Sequence, residues 1–489
     1  MKSLFITSEV FPYNKTGGLG DVAAWLPLAI KRAGVDIRYL APAFPALLRA
    51  MDSVAEVADL GRHFRARKMK VLRGGIKGNP CRFYLLDAPE LFERSGNPYS
   101  DPMGIPWGDN AVRFAALAWA GARFAEGDID GFAPDVMHAN DWMTALAPAY
   151  LEVLRRKNPR IRTSSVLTIH NLAFQGVYPF SVWNDLELPN YMGGEDGLEF
   201  YQQISYLKAG ITFADKLTTV SPSYAREIQT PEYGCGLEGS LLRRRFEIAG
   251  ILNGIDHSLW NPETDRLIHA RYGRAAMGGK KENKSFLQEK LGFAKNPKTP
   301  LFVALSRLTE QKGIDILIDS VPALMMNNVQ LAIMGDDQGG YMPRLRSLAA
   351  QYPEQFAVVE FDEDSSHQLI AGADALINPA RFEPCGLTQM FAMRYGTIPF
   401  ARKTGGLSDT IVDANFQNAV VNGTATGFLF ENYSLHDFVY GINRILSAYR
   451  GEKKIWESIR RQGMSQNFSW DNAASAYVDV YNTQMELIK

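Results

Sequence analysis

The sequence predicts two successive α/β domains, each built on a doubly wound, mostly parallel sheet, and three observations lead there. The chain has 489 residues, enough for two or three domains that each bury a full core. Its commonest local pattern is a short apolar, β-branched run that stops in polar or glycine-rich residues and is followed by a helix-like stretch. That pattern runs through the first half, pauses in a lysine-rich polar stretch, and then restarts.

In the first half, strands are expected at residues 4–8, 135–138, 165–170, 216–220 and 248–252. The second half repeats the pattern at 301–305, 330–334, 356–359, 375–377 and 397–400. These runs do not alternate apolar with polar residues, so they read as parallel strands covered on both faces by helices. Between the two sets lie the polar stretches 278–284 and 296–300, which put the domain boundary between Asn253 and Pro300. Segment 97–110, rich in Pro, Gly and Asp, reads as a long loop, which in a compact domain is more often functional than idle. The last stretch, 470–489, reads as a helix with Asp471 as its cap signal.

Composition removes several classes of function. With 52 basic and 53 acidic residues the formal net charge is −1, so no excess of either sign drives binding to nucleic acid or a membrane surface. Cys81, Cys235 and Cys385 are scattered, odd in number and without a CxxC pair, which argues against a disulfide framework or zinc knuckle and for a reducing cytoplasm. The first residues lack a signal-peptide pattern, and no run approaches the length of an apolar membrane span.

In open α/β sheets ligands bind beyond the carboxyl ends of the strands, so the polar residues that follow each apolar run carry the most information. Lys15-Thr16-Gly17-Gly18-Leu19-Gly20-Asp21 is neither a dinucleotide fingerprint nor a P-loop. It is either a cradle for an anion at a helix N-terminus or a tight turn that needs positive φ. Arg307 and Lys312 follow one strand closely enough to reach a single anion such as a pyrophosphate, or else are two solvated cations. Glu383, in Arg381-Phe382-Glu383-Pro384-Cys385-Gly386, could accept hydrogen bonds from sugar hydroxyls or simply be an acid in the first turn of a helix. His170 closes a strand beside Asn171, whereas His138 reads as a satisfied core histidine. Tyr99, Asp141 and Trp142 offer the aromatic faces and carboxylate that suit sugar rings, although core packing is the default for a tryptophan. The seven histidines show no metal-ligand spacing, and no nucleophile elbow or reactive thiol is visible.

These motifs together resemble the bacterial glycogen synthases and plant starch synthases. Lys15-Thr16-Gly17-Gly18-Leu19 is similar to the N-terminal signature of that family. Ser306-Arg307-Leu308-Thr309-Glu310-Gln311-Lys312-Gly313 resembles its phosphate-site motif, and 381–389 its sugar-site motif. Segments 219–227, 253–256 and 404–407 extend the likeness in family order over essentially the whole chain.

The resemblance implies a GT-B fold, two Rossmann-like domains facing across a cleft. Residues 1–255 would form the acceptor side, 256–470 the nucleotide-sugar side, and 471–489 a helix crossing back to the first domain. It implies retaining, metal-independent transfer of glucose from ADP-glucose to the non-reducing 4-OH of an α-1,4-glucan, in the cytoplasm and without pyridoxal phosphate. By motif, Arg307, Lys312, Glu383 and His170 would be catalytic. Lys15, Gly17, Gly18, Asp21, Asn253, Phe361, Cys385, Gly386, Leu387, Thr388, Thr404, Gly405 and Gly406 would bind the donor, and Tyr99, Asp141 and Trp142 the acceptor. The partners implied are a nucleotide sugar and a glucan, with no nucleic acid and no membrane, and the oligomeric state is left open.

The sequence departs from the family pattern at three places. Asn140 and Met143 stand where two histidines are usual, Phe361 where the adenine-stacking residue is a tyrosine, and Ala380 where a serine precedes Arg381. A related transferase using UDP-glucose, a phosphorylase with pyridoxal phosphate on a lysine, and a glucan-binding protein with a decayed site are the alternatives weighed at this stage.

Overall fold

In a computed structural model, which describes residues 1–488, the chain divides into two compact units. Lys489, the end of the expected C-terminal helix, lies outside the described residues. One unit comprises Met1–Gly254 and the helix Trp470–Ile488, and the other Ile255–Ser469.

The strands of the first unit are β1 (Lys2–Ile6), β2 (Asp36–Pro42), β3 (Met51–Gly61), β4 (Met69–Ile76), β5 (Asn79–Asp87), β6 (Val136–Asn140), β7 (Ser164–Ile169), β8 (Val177–Pro179), β9 (Glu199–Phe200), β10 (Gln203–Ser205), β11 (Lys216–Thr219) and β12 (Ile248–Gly250). Nine of them form one sheet in the order β12-β11-β7-β6-β1-β2-β5-β4-β3, parallel except for the antiparallel pairs β3–β4 and β4–β5. The expected strands of this half are all present. β2 to β5 are additional, and β3 and β4 carry partly exposed polar residues that break the apolar pattern of a doubly covered strand. A small antiparallel sheet, β8-β10-β9, stands apart.

The C-terminal helix belongs to this unit. Trp470, Ala473, Ala474, Tyr477 and Tyr481 pack in the same apolar core as Phe5, Ile37, Val136 and Val166. The helix starts at Trp470, so Asp471 falls inside its first turn, where it pairs with Arg32 at 2.6 Å. Beneath it runs a buried polar chain. His138, with no exposure, shares hydrogen bonds with the Tyr481 hydroxyl through Nδ1 and the Thr168 hydroxyl through Nε2, both at 2.6 Å. Thr168 in turn meets the Thr218 hydroxyl at 2.6 Å. The expectation of a satisfied core histidine at 138 is met, and burial pushes its pKa down to about 3, so the ring is neutral.

The second unit contains β13 (Leu301–Leu305), β14 (Gln330–Met334), β15 (Phe356–Val359), β16 (Ala375–Asn378), β17 (Ile398–Arg402) and β18 (Phe428–Phe430). All pairs are parallel, in the order β15-β14-β13-β16-β17-β18. Counted within the unit this is 3-2-1-4-5-6, the doubly wound dinucleotide-type order, whose winding reverses between β13 and β16. Five of the six strands coincide with expected runs. The short β18 went unnoticed because three apolar residues at 428–430 make no periodic signal. Among the described residues, no helix is long and apolar enough to cross a membrane.

Tyr481→Phe removes one partner of a fully buried imidazole. It should lower unfolding stability by about 1–2 kcal/mol, read as a lower urea midpoint at unchanged slope.

Candidate active site

In the first unit the candidate residues sit at the carboxyl ends of β1, β6 and β7, on either side of the reversal between β1 and β6. After β1 the chain turns through Glu9 and the glycine loop into the helix Gly18–Arg32. Glu9 is 3% exposed, and its Oε2 accepts hydrogen bonds from the backbone N–H of Thr16 (2.8 Å) and of Gly17 (3.1 Å). Burial raises its pKa, and these bonds partly offset the rise. Tyr99 donates to Glu9 Oε1 at 2.5 Å and bonds Ser8 Oγ at 2.9 Å. The Tyr99 hydroxyl therefore braces the glycine loop. Lys15 pairs with Asp21 at 2.9 Å, so both of these candidates are engaged with one another.

Gly17 and Gly18 have no positive φ, and a Cβ added at either would meet nothing within 4 Å. The tight-turn reading is thereby removed. These glycines leave open space beside the first N–H groups of a 15-residue helix, groups that have no intrahelical acceptor. Gly20 is different, because a Cβ there would lie 3.0 Å from the Lys15 side chain.

After β6, Asp141 takes a left-handed backbone at φ 60 and is 8% exposed. Its Oδ1 accepts from the backbone N–H of His170 at 3.3 Å. Burial raises its pKa to about 7 against the pull of the backbone N–H groups of His170, Asn171 and Trp142. His170 follows β7, partly exposed, with Nε2 3.0 Å from Asn140 Oδ1. Burial depresses its pKa to about 3. Trp142 is half-buried in an aromatic cluster with Phe114 at 5.1 Å and with Tyr99 and Tyr178, both at 6.2 Å. Asn253 follows the edge strand β12, and its buried Oδ1 has no partner among the described residues.

In the second unit the candidates gather where the winding reverses. Arg307 follows β13, and among the described residues no hydrogen bond or ion pair engages its guanidinium. Lys312 follows one turn later and pairs with Glu383 Oε2 at 2.5 Å, with side-chain exposures of 16% and 8%. The two residues, 71 positions apart, thus form one ion pair. Gly313 makes this approach possible: it has φ +69, and a Cβ would lie 2.2 Å from the Pro379 carbonyl. Gly405 and Gly406 likewise press on the backbone of Glu383 and Cys385, each with a virtual Cβ at 2.0 Å, and Gly406 N–H donates to Glu383 O at 3.0 Å. Gln389 ties down the loop from Cys385 to Leu387 by donating to Cys385 O (3.1 Å) and Gly386 O (3.0 Å). Thr388 opens the helix that follows, while Thr404 is buried beside Gly405. Phe361 lies just past β15 and is 63% exposed.

Sequence reasoning missed Glu9, although it follows β1 directly and the rule that found His170 would have found it. It also missed Asp315, which holds Arg381 (2.7 Å) and Tyr433 (2.6 Å) beside the sugar-site motif. Nothing in the spacing marks that acid. Among the described residues no group of three or more His, Cys, Asp or Glu side chains is arranged to hold a metal ion.

A carboxyl group with a raised native pKa binds more protons folded than unfolded between its ordinary value and about pH 7. Stability therefore falls as pH rises through that window, with a limiting slope of about 1.4 kcal/mol per pH unit, and levels off above it. Asp141→Asn, which tolerates the left-handed backbone, should remove this component from stability curves measured between pH 4 and pH 8.

Residues 2–243 match the family model described as the starch synthase catalytic domain, and residues 285–462 match glycosyl transferases group 1. A glycogen synthase of Leptothrix cholodnii is 42% identical over 485 residues, covering 98% of this chain and 99% of the relative. A glycogen synthase of Francisella tularensis subsp. novicida is 40% identical over 483 residues, covering 98% of each. Among solved structures, the catalytic domain of starch synthase IV from Arabidopsis thaliana, bound to ADP and acarbose, superposes with a TM-score of 0.88 at 29% identity over 99% of both chains. Sucrose-phosphate synthase from Thermosynechococcus elongatus, at 17% identity and a TM-score of 0.60 over 99% of both chains, shares the fold. The two-domain α/β fold with parallel sheets is that of GT-B glycosyltransferases. Likeness this extensive, carried by sequence and fold alike, means that the chain belongs to the glycogen synthase and starch synthase family of glycosyltransferases.

Proposed function

We propose that the chain transfers glucose from ADP-glucose to the non-reducing 4-OH of an α-1,4-glucan, with retention at the anomeric carbon and without a metal or pyridoxal phosphate. The observation that carries this reading is the gathering of Arg307, Lys312 and Glu383 at the winding reversal of the second unit. The bond from the glucosyl anomeric carbon to the diphosphate breaks as the acceptor 4-oxygen bonds to that carbon from the same face. The departing phosphate takes the acceptor proton. Arg307, unengaged among the described residues, and Lys312 stabilise the charge that grows on the leaving diphosphate. Glu383 holds the Lys312 ammonium in place before substrate arrives and presents its carboxylate to glucosyl hydroxyls. The open space beside Gly17 and Gly18 and the helix N–H of Gly18, free among the described residues, supply a second cradle for phosphate oxygens. His170 and Asn253 face the glucosyl unit, Asp141 and Trp142 the glucan, and Phe361 stacks on the base. The free cysteines, two of them buried, agree with a cytoplasmic setting.

UDP-glucose is the second donor to test, because the Phe361 ring offers stacking area without a hydroxyl to read the base. Purified protein, a glucan primer and either nucleotide sugar decide the matter through chain elongation and diphosphate release. Preference for ADP-glucose supports the reading, preference for UDP-glucose overturns the base assignment, and no elongation with either refutes the transferase activity.

Because Lys312 and Glu383 are a largely buried pair, truncating one to Ala leaves a cavity as well as an unpaired partner, so changes that keep the length of the side chain are the cleaner probes. Glu383→Gln and Lys312→Met should each lower kcat roughly 100-fold or more while the circular dichroism spectrum stays unchanged; near-normal turnover in both would remove these residues from the mechanism. Gly18→Ala meets no steric or φ obstacle and improves helix propensity. It should leave Tm equal or higher yet raise the donor KM about tenfold, the equivalent of one lost hydrogen bond to the diphosphate; an unchanged KM would mean that the glycines do not cradle phosphate.

A further inference from the structure

Asn140 ends β6 with no exposure, and its surroundings determine which way its amide points. The Nδ2 atom lies 3.0 Å from the Ile6 carbonyl oxygen and 3.4 Å from that of His138. Both of those oxygens only accept, so the amide nitrogen has to face them. Its Oδ1 then faces His170 Nε2 at 3.0 Å, and an amide oxygen has no proton to give. The proton in that bond belongs to the histidine. Flipping the amide would set its oxygen against two carbonyls and leave its buried groups unsatisfied, which is the costly alternative in a dry site. The backbone of Asn140 is held as firmly: its N–H donates to Thr144 Oγ1 at 2.5 Å, and its carbonyl accepts from the same hydroxyl at 2.8 Å.

We infer that Asn140 is a positioning residue that fixes His170 as the Nε2–H tautomer and so presents Nδ1 as a bare acceptor for a sugar hydroxyl. Burial keeps the ring neutral, which leaves Nδ1 without a proton of its own. The Nε2 bond to Asn140 holds the ring itself, and the backbone N–H of His170 is tied to Asp141 at 3.3 Å. Among the described residues no hydrogen bond engages Nδ1, and the partial exposure of His170 leaves it accessible. A hydroxyl of the glucosyl unit therefore donates to His170 rather than accepting from it. The sugar part of this inference rests on the proposed function; the tautomer does not.

The test is a long-range proton–nitrogen correlation spectrum of the full chain with nitrogen-15-labelled histidines near neutral pH. His170 is identified by the signals lost in His170→Gln. The expected result is a neutral ring protonated at Nε2 and bare at Nδ1. Asn140→Leu keeps the branched shape and removes the acceptor, so it should yield a mixture of tautomers and lower kcat for glucan elongation about tenfold. A wild-type ring protonated at Nδ1 overturns the inference, as does an Asn140→Leu ring still wholly Nε2–H with unchanged kcat. If Asn140→Leu does not fold, the wild-type spectrum decides alone. Wild-type protein with an Nε2–H ring but no elongation would refute the proposed reaction and leave the assignment of Asn140 standing.

Discussion

The reversal of winding in a parallel sheet is the constraint on which both units depend. Two strands whose following helices go to opposite faces leave a crevice beyond their carboxyl ends, where loops cannot be covered by the sheet's own helices. In the first unit that crevice lies between β1 and β6, and in the second between β13 and β16. The glycine loop, Asp141, Arg307, Lys312 and Glu383 all follow strands at these two places. Their distribution along the chain looks scattered, but in each sheet it is one short edge.

Glycine serves that edge in two opposite ways. At Gly313, Gly405 and Gly406 the absence of a side chain lets backbone meet backbone, with a virtual Cβ about 2 Å from a carbonyl oxygen in each case, so any substitution would push the loops apart. At Gly17 and Gly18 nothing of the protein fills the space. The first group holds the sugar-site loop beside the phosphate-site turn. The second leaves open space beside the first N–H groups of the helix, the volume that the proposed donor would fill.

The charged residues are organised by pairing. Glu9 has its oxygens taken by Thr16, Gly17 and Tyr99, Lys312 is held by Glu383, and Arg381 by Asp315. Arg307 stands apart from these pairs. Such an arrangement holds the paired groups in place within the fold and, among the described residues of this edge, leaves the Arg307 guanidinium uncommitted; in the proposed reaction the cost of ordering would be met in folding rather than during turnover. The neutral side of the first unit's site follows the same logic, with Asn140 orienting His170 and Asp141 fixing its backbone.

The sequence by itself determined the parallel strands, because a strand covered on both faces has to be a continuous apolar run, and such runs are visible without a structure. It also determined which loops matter, since polar residues that stop those runs mark the carboxyl edge. β2 to β5 and β18 escaped notice, the former because partly solvated strands mix polar with apolar residues and the latter because three residues carry no period. Local reading could not tell a phosphate cradle from a tight turn at Gly17-Gly18, nor a sugar-binding acid from a capping acid at Glu383. Tertiary structure removed the positive-φ turn and paired Glu383 with Lys312, and it likewise decided the bracing role of Tyr99 and the orientation of the Asn140 amide. Each depends on atoms brought together from distant positions, 71 residues apart for Lys312 and Glu383 and 134 for Asn140 and Ile6. Periodicity reports what a residue's neighbours in sequence are; the identity of a hydrogen-bond partner across the fold is information that no local pattern contains.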